Sequence, residues 1–334
     1  MQPETRTEPR NAVGAEVRHA LSEKDRKAVA AMRKEVAPFK GKMSDPSARP
    51  PFDEVMGHTP DVRGVTYEKR AVGGVPGISC TPQGARPGAA ILYLHGGAYV
   101  LGSANAYRHF AGQIAARAKT AVFIAEYRLA PEHRFPAALD DARGAYRGLV
   151  EGGARRIGAG RIAVVGDSAG GGLALALLSL VQSEHVAPVA AVVMSPWTDL
   201  ALTGGSLEDC ADDDPLLTRE MLSKTAASYL DGHDPRDPLA SPLYGALAGR
   251  PPTQLHVGTS EVLLDDTRRY AERARAAGVE AVAHVWEGMT HVFPSSVGTL
   301  EAAEKALSLT ATFLDERLGM RPEAVGSPKV RGQA

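Results

Sequence analysis

The chain has 334 residues, 44% of them hydrophobic, which is enough for the core of one large globular domain with an appended segment. Its 38 Lys and Arg residues balance 39 Asp and Glu residues, so the net charge gives no reason to expect nucleic acid or an anionic membrane as a partner. The N-terminus lacks an apolar signal-peptide core, no apolar run is long enough to span a membrane, and the two cysteines form no disulfide framework. We therefore expect a cytoplasmic protein.

The N-terminal segment resembles an appendage to a larger domain. Residues 1–20 are predicted to be poorly ordered. A helix is predicted after them, with Ser22 as its N-cap and Asp25 three residues further on, in a pattern similar to a capping box. A Pro-rich connector over residues 44–54 leads from this helix into the main domain.

From residue 56 onward, apolar β-rich runs alternate with helical patterns. The predicted strands cover residues 65–72, 75–80, 89–95, 120–127, 161–166, 189–194, 253–258 and 281–286. The predicted helices cover residues 107–119, 136–151, 169–183, 219–230, 266–277 and 300–318. This alternation predicts an α/β fold, with an eight-stranded, mostly parallel sheet flanked by helices and an antiparallel hairpin at Gly73-Gly74.

One connection is too long for an ordinary α/β unit. The segment between the strands at 189–194 and 253–258 contains the acidic run EDCADDDP and a helix that Thr218 is predicted to cap. We interpret it as an insertion that packs with the N-terminal helices as a helical cap. The predicted divisions are the N-terminal part of the cap at 1–55, the first part of the core at 56–197, the cap insertion at 198–240, the second part of the core at 241–320, and a disordered tail at 321–334.

The strand predicted at 161–166 runs directly into a G-x-S-x-G pattern, Gly166 to Gly170. This pattern is typical of a nucleophile elbow, a sharp strand-to-helix turn that exposes the serine hydroxyl, here that of Ser168. The pattern alone is weak, but its position between an apolar strand and an apolar helix makes Ser168 a strong candidate nucleophile. The glycines do not form a phosphate loop, because no G-K-[ST] ending follows them.

A glycine-rich stretch, HGGAY, follows the strand predicted at 89–95. Ester hydrolysis requires backbone N–H groups that bind the oxyanion of the tetrahedral intermediate. The candidates are Gly96, Gly97 and Ala98 in this stretch, together with Ala169 after the nucleophile. The sequence does not decide which of the loop groups point inward.

The candidate general base is His291, which lies between the last predicted strand and the C-terminal helix. This position completes the chain order Ser, acid, His of α/β-hydrolases. Three carboxylates in the stretch GTSEVLLDD compete for the role of the acid. Glu261 falls in the loop after the strand at 253–258, where active sites of open α/β sheets lie, whereas Asp265 and Asp266 fit the N-cap and first turn of the next helix. We predict Glu261 as the acid and keep Asp265 as the alternative.

Taken together, several motifs resemble those of the bacterial hormone-sensitive-lipase family of α/β-hydrolases, in the right order and spacing from about residue 85 to 318. They are HGGAYVLGS, YRLAPEHRFPAALDDA, GDSAGGGLALAL, DPLASPLYGALAGRPPTQLHVG and GMTHVF. The resemblance implies carboxylester hydrolysis, a cap made from the N-terminus and a mid-chain insertion, no cofactor, and a fold compatible with a homodimer. Two positions of the candidate site depart from the family pattern. Ala98 replaces a glycine, and Glu261 stands where the family motif D-P-L-x-D has its catalytic Asp.

We predict a serine carboxylesterase that acts on short-chain acyl esters through Ser168, His291 and Glu261. Its substrate is a small ester, or a lactone in the alternative function, and a more distant alternative is a non-catalytic small-molecule binding protein on the same fold. The sequence has no metal-binding motif such as H-E-x-x-H. The candidate substrate-pocket residues, for which core packing is an equal alternative, are Tyr99, Leu101, Leu216 and Leu217.

Overall fold

The computed structural model describes residues 16–152 and 160–319. Within these residues the chain forms a nine-stranded sheet with helices on both faces. The strands are β1 (Glu16–His19), β2 (Val65–Val72), β3 (Val75–Pro82), β4 (Ala89–Leu94), β5 (Ala121–Ala125), β6 (Arg161–Asp167), β7 (Ala190–Met194), β8 (Thr253–Gly258) and β9 (Ala281–Trp286). The predicted tail at 321–334 lies outside the described residues.

The strand order is β1-β9-β8-β7-β6-β4-β5-β3-β2. Strand β3 pairs antiparallel with both β2 and β5, and the remaining pairs are parallel. Val72 pairs with Val75 across Gly73-Gly74, which confirms the predicted two-residue hairpin. The carboxyl ends of the central parallel strands therefore meet along one edge of the sheet, where ligand sites of open α/β sheets lie.

The sheet has one strand more than the sequence predicts. Residues 16–19, expected to be poorly ordered, form β1 and pair in parallel with β9. The prediction missed this strand because it is short and polar and has no alternation of apolar residues. Long-range contacts hold it instead: the His19 ring stacks on Trp286 with centroids 3.7 Å apart, and Arg268 donates to Glu16 at 2.9 Å.

The longer helices are α1 (Glu23–Val36), α2 (Arg49–Gly57), α3 (Arg108–Ala118), α4 (Ala137–Glu151), α5 (Ser168–Val181), α6 (Arg219–Leu230), α7 (Leu264–Ala276) and α8 (Glu301–Gly319). One face of the sheet packs on α4, α5 and α7, and the other on α3 and α8. Helix α5 is buried along almost its whole length. Its apolar sequence is therefore explained by burial rather than by a membrane.

Two predicted helix caps are present. Ser22 accepts from the Asp25 N–H at 3.1 Å, and Thr218 accepts from the Met221 N–H at 3.1 Å. The Asp25 carboxylate does not reach back to Ser22, as a capping box would require. It accepts from the N–H groups of Glu301 and Ala302 at 2.8 and 3.0 Å, and so binds the start of α8.

The N-terminal segment donates hydrogen bonds to backbone carbonyls of the 198–240 insertion. The Gly41 N–H donates to the carbonyl of Leu216 at 2.9 Å, and Lys40 Nζ donates to the carbonyl of Ala211 at 2.7 Å. The two segments predicted to form a cap are therefore in direct contact.

Candidate active site

Ser168 lies at the turn where β6 ends and α5 begins. Its φ is +52°, in the left-handed region, where a non-glycine residue costs roughly 1–3 kcal/mol and persists only when the surroundings enforce it. The surroundings here are tight, since a Cβ on Gly170 would overlap the carbonyl oxygens of Leu94 and His95. The strand-to-helix turn that the sequence predicts is therefore present, with its glycine required by close packing.

The structure brings Ser168, His291 and Glu261 together from three different loops. Nε2 of His291 lies 2.8 Å from Oγ of Ser168, and Nδ1 lies 2.9 Å from Oε2 of Glu261. The Glu261 side chain is fully buried, and 9% of the His291 side chain is exposed. Because a carboxylate can only accept, Nδ1 carries the proton and Nε2 faces the serine hydroxyl as an acceptor.

The second carboxylate oxygen of Glu261 is held separately. Oε1 accepts from the Gly258 N–H at 2.6 Å and from the Ser195 hydroxyl at 2.9 Å. The Ser195 oxygen in turn accepts from the Val292 N–H at 3.0 Å, next to His291. Ser195 is not among the site residues predicted from the sequence. The available signal is its position as the first residue after β7, at the carboxyl edge of the sheet.

The environment of His291 favours its protonated form. Burial alone would lower the pKa of His291, but the hydrogen bond and the charge of Glu261, with smaller contributions from the charges of Asp214 and Asp167, raise the pKa above its usual value. A histidine in this environment accepts a proton more readily than an isolated imidazole does.

Of the other two carboxylates of GTSEVLLDD, Asp266 lies in the first turn of the helix as predicted, but Asp265 is not the N-cap. Helix α7 begins at Leu264, so Leu263 rather than Asp265 occupies the N-cap, and it makes no side-chain capping bond. Asp265 accepts from the Ser206 N–H at 2.9 Å, and Asp266 accepts from the Thr198 N–H at 2.7 Å. Both lie in the first turn but bind the 195–206 segment, so the predicted cap is wrong and tertiary contacts take its place.

One of the predicted oxyanion donors is already engaged. The Gly96 N–H donates to Oδ1 of Asp167 at 3.0 Å, so it is not free to bind an oxyanion. In residues 16–152 and 160–319, the N–H groups of Gly97 and Ala98 donate to no protein acceptor. The prediction for Gly96 is therefore corrected, and Gly97, Ala98 and Ala169 remain as candidates.

Asp167 joins the nucleophile turn to the glycine-rich loop. Besides the Gly96 N–H, its carboxylate accepts from the hydroxyls of Tyr93 at 2.6 Å and Tyr107 at 3.1 Å. Burial raises the pKa of Asp167 to about 6, although both hydroxyls oppose the shift. In the sequence, Asp167 is only a variable position of the elbow pattern, and nothing local marks its role because its partners are 60 to 74 residues away.

The candidate pocket residues are largely packed into the core. Tyr99, Leu101 and Leu217 are buried, and Leu216 is partly exposed. The Tyr99 ring stacks on that of Tyr229 from α6, with centroids 3.9 Å apart and planes within 4°. Core packing therefore accounts for the apolar character of Tyr99, Leu101 and Leu217. A role of the four residues in binding substrate stays a prediction.

The described part of the chain has neither a metal-binding cluster nor a membrane-spanning helix. In that part, no three His, Cys, Asp or Glu side chains are grouped so that they could hold a metal ion. No helix there is both long and apolar enough to cross a bilayer.

The sheet topology and the nucleophile turn define an α/β-hydrolase architecture. A family model described as alpha/beta hydrolase fold matches residues 91–295. It covers the glycine-rich loop and all three residues of the Ser168, Glu261 and His291 cluster.

Relatives of this chain are named as ester hydrolases. An acetyl-hydrolase of Streptomyces hygroscopicus is 41% identical over 72% of this chain and 81% of that protein. An ethyl acetate hydrolase of Pseudomonas putida is 37% identical over 70% of this chain and 75% of that protein. The crystal structure of an esterase from the bacterial hormone-sensitive lipase family is 38% identical, with a TM-score of 0.81, and the match covers 90% of this chain and 100% of that one. The chain therefore belongs to the bacterial hormone-sensitive-lipase family of α/β-hydrolases.

Proposed function

We propose that this chain is a serine carboxylesterase that hydrolyses short-chain acyl esters through Ser168, His291 and Glu261. The observation that carries the proposal is the continuous hydrogen-bonded path from Ser168 Oγ through the His291 ring to the buried Glu261 carboxylate, at 2.8 and 2.9 Å. The coarser statement, that the chain hydrolyses carboxylic esters, is supported by its family and by the names of its relatives.

In the proposed reaction, His291 Nε2 takes the proton of Ser168 Oγ as the oxygen attacks the ester carbonyl. Glu261 holds the imidazole in the tautomer with its proton on Nδ1 and stabilises the imidazolium that forms. The N–H groups of Gly97 or Ala98 and of Ala169 bind the oxyanion. His291 then protonates the leaving alcohol, and water resolves the acyl-enzyme by the same proton transfers in reverse.

We further propose that the N-terminal helices and the 198–240 insertion form a cap over the site. The contacts of Lys40 and Gly41 with the insertion support this proposal. A short acyl chain is favoured because the rings of Tyr99, beside the oxyanion loop, and Tyr229 of the insertion stack on each other next to the candidate site. The names acetyl-hydrolase and ethyl acetate hydrolase of two relatives agree with this preference.

Labelling with a fluorophosphonate tests the nucleophile. We expect one equivalent to attach to Ser168, Ser168→Ala to remain unlabelled, and His291→Ala to react far more slowly. A wild-type protein that is folded but unreactive would overturn the proposal and favour a binding protein. The His291–Ser168 contact argues against that alternative, because a receptor pocket has no need of it.

A rate panel tests the substrate class. We expect p-nitrophenyl acetate and butyrate to give a kcat/KM at least tenfold above that of the palmitate ester. A preference for palmitate would contradict the short-chain part of the proposal. Lactones belong in the same panel, because a lactone is a cyclic ester whose hydrolysis needs the same catalytic groups. A lactone with a higher kcat/KM than every open-chain ester would favour the alternative function.

A further inference from the structure

Asp214 is a buried carboxylate that the proposed reaction does not use. It is the last aspartate of the acidic run EDCADDDP in the 198–240 insertion. Asp212 and Asp213 beside it are exposed, whereas Asp214 has no accessible surface. A carboxylate without access to water must be held by other groups, because burying an unpaired charge is costly.

Three backbone N–H groups bind this carboxylate. Oδ1 accepts from Leu216 at 2.9 Å and from Leu217 at 2.8 Å, which closes a local turn in the insertion. Oδ2 accepts from the Val262 N–H at 3.0 Å, 48 residues away in the loop between β8 and α7. Within the described ranges no Lys or Arg forms an ion pair with Asp214. Backbone donors therefore hold its negative charge in place.

The long-range bond reaches the residue next to the proposed catalytic acid. Val262 directly follows Glu261, whose Oε1 is already held by Gly258 and Ser195 on the other side. The Glu261 loop is therefore fixed from the sheet by Gly258 and Ser195 and from the insertion by Asp214. On the insertion side, the same carboxylate orders Leu216 and Leu217, two of the candidate pocket residues.

Asp214 also acts on His291 through its charge. Three carboxylates on different elements influence the imidazole: Glu261 after β8, Asp167 at the end of β6, and Asp214 in the insertion. Glu261 alone binds the ring directly, and the other two favour the imidazolium over a longer distance. Stabilising the imidazolium lowers the barrier to the proton transfer from Ser168.

We propose that Asp214 is a positioning residue, which fixes the Glu261 loop against the cap insertion and adds negative charge beside the imidazolium of His291. The inference rests on the proposed function of the Ser168, His291 and Glu261 cluster and extends it into the insertion. It assigns to the insertion a role in the proton transfer as well as in enclosing substrate.

Asp214→Asn tests this role while keeping the shape of the side chain. The amide oxygen can still accept from Leu216 and Leu217, but the amide NH2 then faces the Val262 N–H, and two donors cannot bond. We expect kcat on p-nitrophenyl acetate to fall about tenfold to a hundredfold, since small displacements of a catalytic group have effects of that size. We expect KM to change less than threefold, and the midpoint of the acid limb of kcat/KM to move down by about half a pH unit.

The matched control is Asp212→Asn, which removes the same charge from an exposed residue two positions away. Because exposed charges are screened by water, kcat and the acid limb should stay at wild-type values. An Asp214→Asn variant that folds, melts as the wild type does and retains both the wild-type kcat and the wild-type acid limb would overturn the proposal. An equal shift of the acid limb in Asp212→Asn would also overturn it.

Asp214→Ser provides a second test should the asparagine variant fail to fold. A serine hydroxyl can accept from the local turn but carries no charge and is too short to reach Val262. The same loss of kcat and the same shift of the acid limb are expected. Failure of both variants to fold would count against the proposal, because it would assign Asp214 to the stability of the fold. Absence of ester hydrolysis by the wild type would instead overturn the proposed function.

Discussion

With its Oε2 atom 2.9 Å from Nδ1 of His291, the Glu261 side chain leaves its second oxygen to bind the Gly258 N–H and the Ser195 hydroxyl. A carboxylate has enough lone pairs for all three donors, whereas an amide does not. The geometry therefore suits a carboxyl group at this position better than an amide, and it accommodates the longer glutamate where the family motif has aspartate.

Glu261→Gln should lower kcat about 10²- to 10⁴-fold with little loss of stability. If the amide oxygen stays on Gly258 and Ser195, the amide NH2 faces Nδ1 of His291. The imidazole must then carry its proton on Nε2, where it cannot accept from Ser168. Steady-state rates on p-nitrophenyl acetate measure kcat, and the thermal midpoint of unfolding measures stability.

Asp265→Asn is the matched control, because Asp265 binds the Ser206 N–H and does not bind His291. We expect it to keep its activity and to lose about 1 kcal/mol of unfolding free energy. Wild-type turnover by Glu261→Gln would contradict the assignment.

Gly97→Ala should lower kcat about 10²- to 10³-fold by displacing an oxyanion donor. Gly97 has a φ of +115°, and a Cβ there would overlap the carbonyl oxygen of Leu101, so the loop must move. Gly88→Ala separates this effect from backbone strain alone, because Gly88 also has a positive φ, +70°, but open space around its Cβ position. We expect that variant to lose about 1 kcal/mol of stability and to keep its activity. Equal losses of kcat in the two variants would count against the assignment of the loop.

The candidate site residues that the structure brings together as the sequence predicted are those with local signals. Ser168 is marked by an elbow pattern between strand and helix, and His291 and Glu261 each follow an apolar strand, so the chain order alone brings them to one edge of the sheet. Ser195 also follows an apolar strand, but neither Ser195 nor Asp214 lies in a sequence motif that singles it out. Their hydrogen bonds reach partners 66 and 48 residues away, and no local pattern of residues specifies such distances.

The two incorrect predictions, for Asp265 as an N-cap and for Gly96 as an oxyanion donor, also arise from contacts between distant residues. Asp265 has the chemistry of an N-cap, but the helix begins one residue before it, and its carboxylate binds Ser206 instead. Gly96 has the flexibility expected of an oxyanion loop, but its N–H is taken by Asp167. In both cases a tertiary contact decides between roles that local chemistry permits equally.

Asp266→Asn should destabilise the protein more at pH 5 than at pH 8. Burial, with the nearby charge of Asp199, raises the pKa of Asp266 to about 7. A carboxyl whose pKa is raised on folding stabilises the native state at low pH and loses that contribution as the pH rises through the folded-state value. Asparagine does not titrate, so the difference in unfolding free energy from the wild type should shrink by on the order of 2 kcal/mol between the two pH values. Urea unfolding at pH 5 and pH 8 measures it, and a difference that is equal or larger at pH 8 would contradict the prediction.

His19→Ala should loosen β1 without changing kcat. The His19 ring stacks on Trp286, and Nε2 of His19 lies 2.9 Å from Nδ1 of His284, so removing the ring should cost about 1–2 kcal/mol of unfolding free energy at pH 8.

Burial and the charge of Lys305 lower the pKa of His19, and burial with the charges of His19 and Lys305 lowers the pKa of His284 to about 4. A histidine whose pKa is lowered on folding stabilises the native state at high pH, and that contribution is lost as the pH falls below its ordinary value. The wild type should therefore lose stability on acidification, and its advantage over His19→Ala should be smaller at pH 5 than at pH 8 in urea unfolding. Val17→Ala is the control, because Val17 is an exposed residue of the same strand; it should change the unfolding free energy by less than about 0.5 kcal/mol at either pH. The prediction is refuted if the wild type exceeds His19→Ala in unfolding free energy by more at pH 5 than at pH 8.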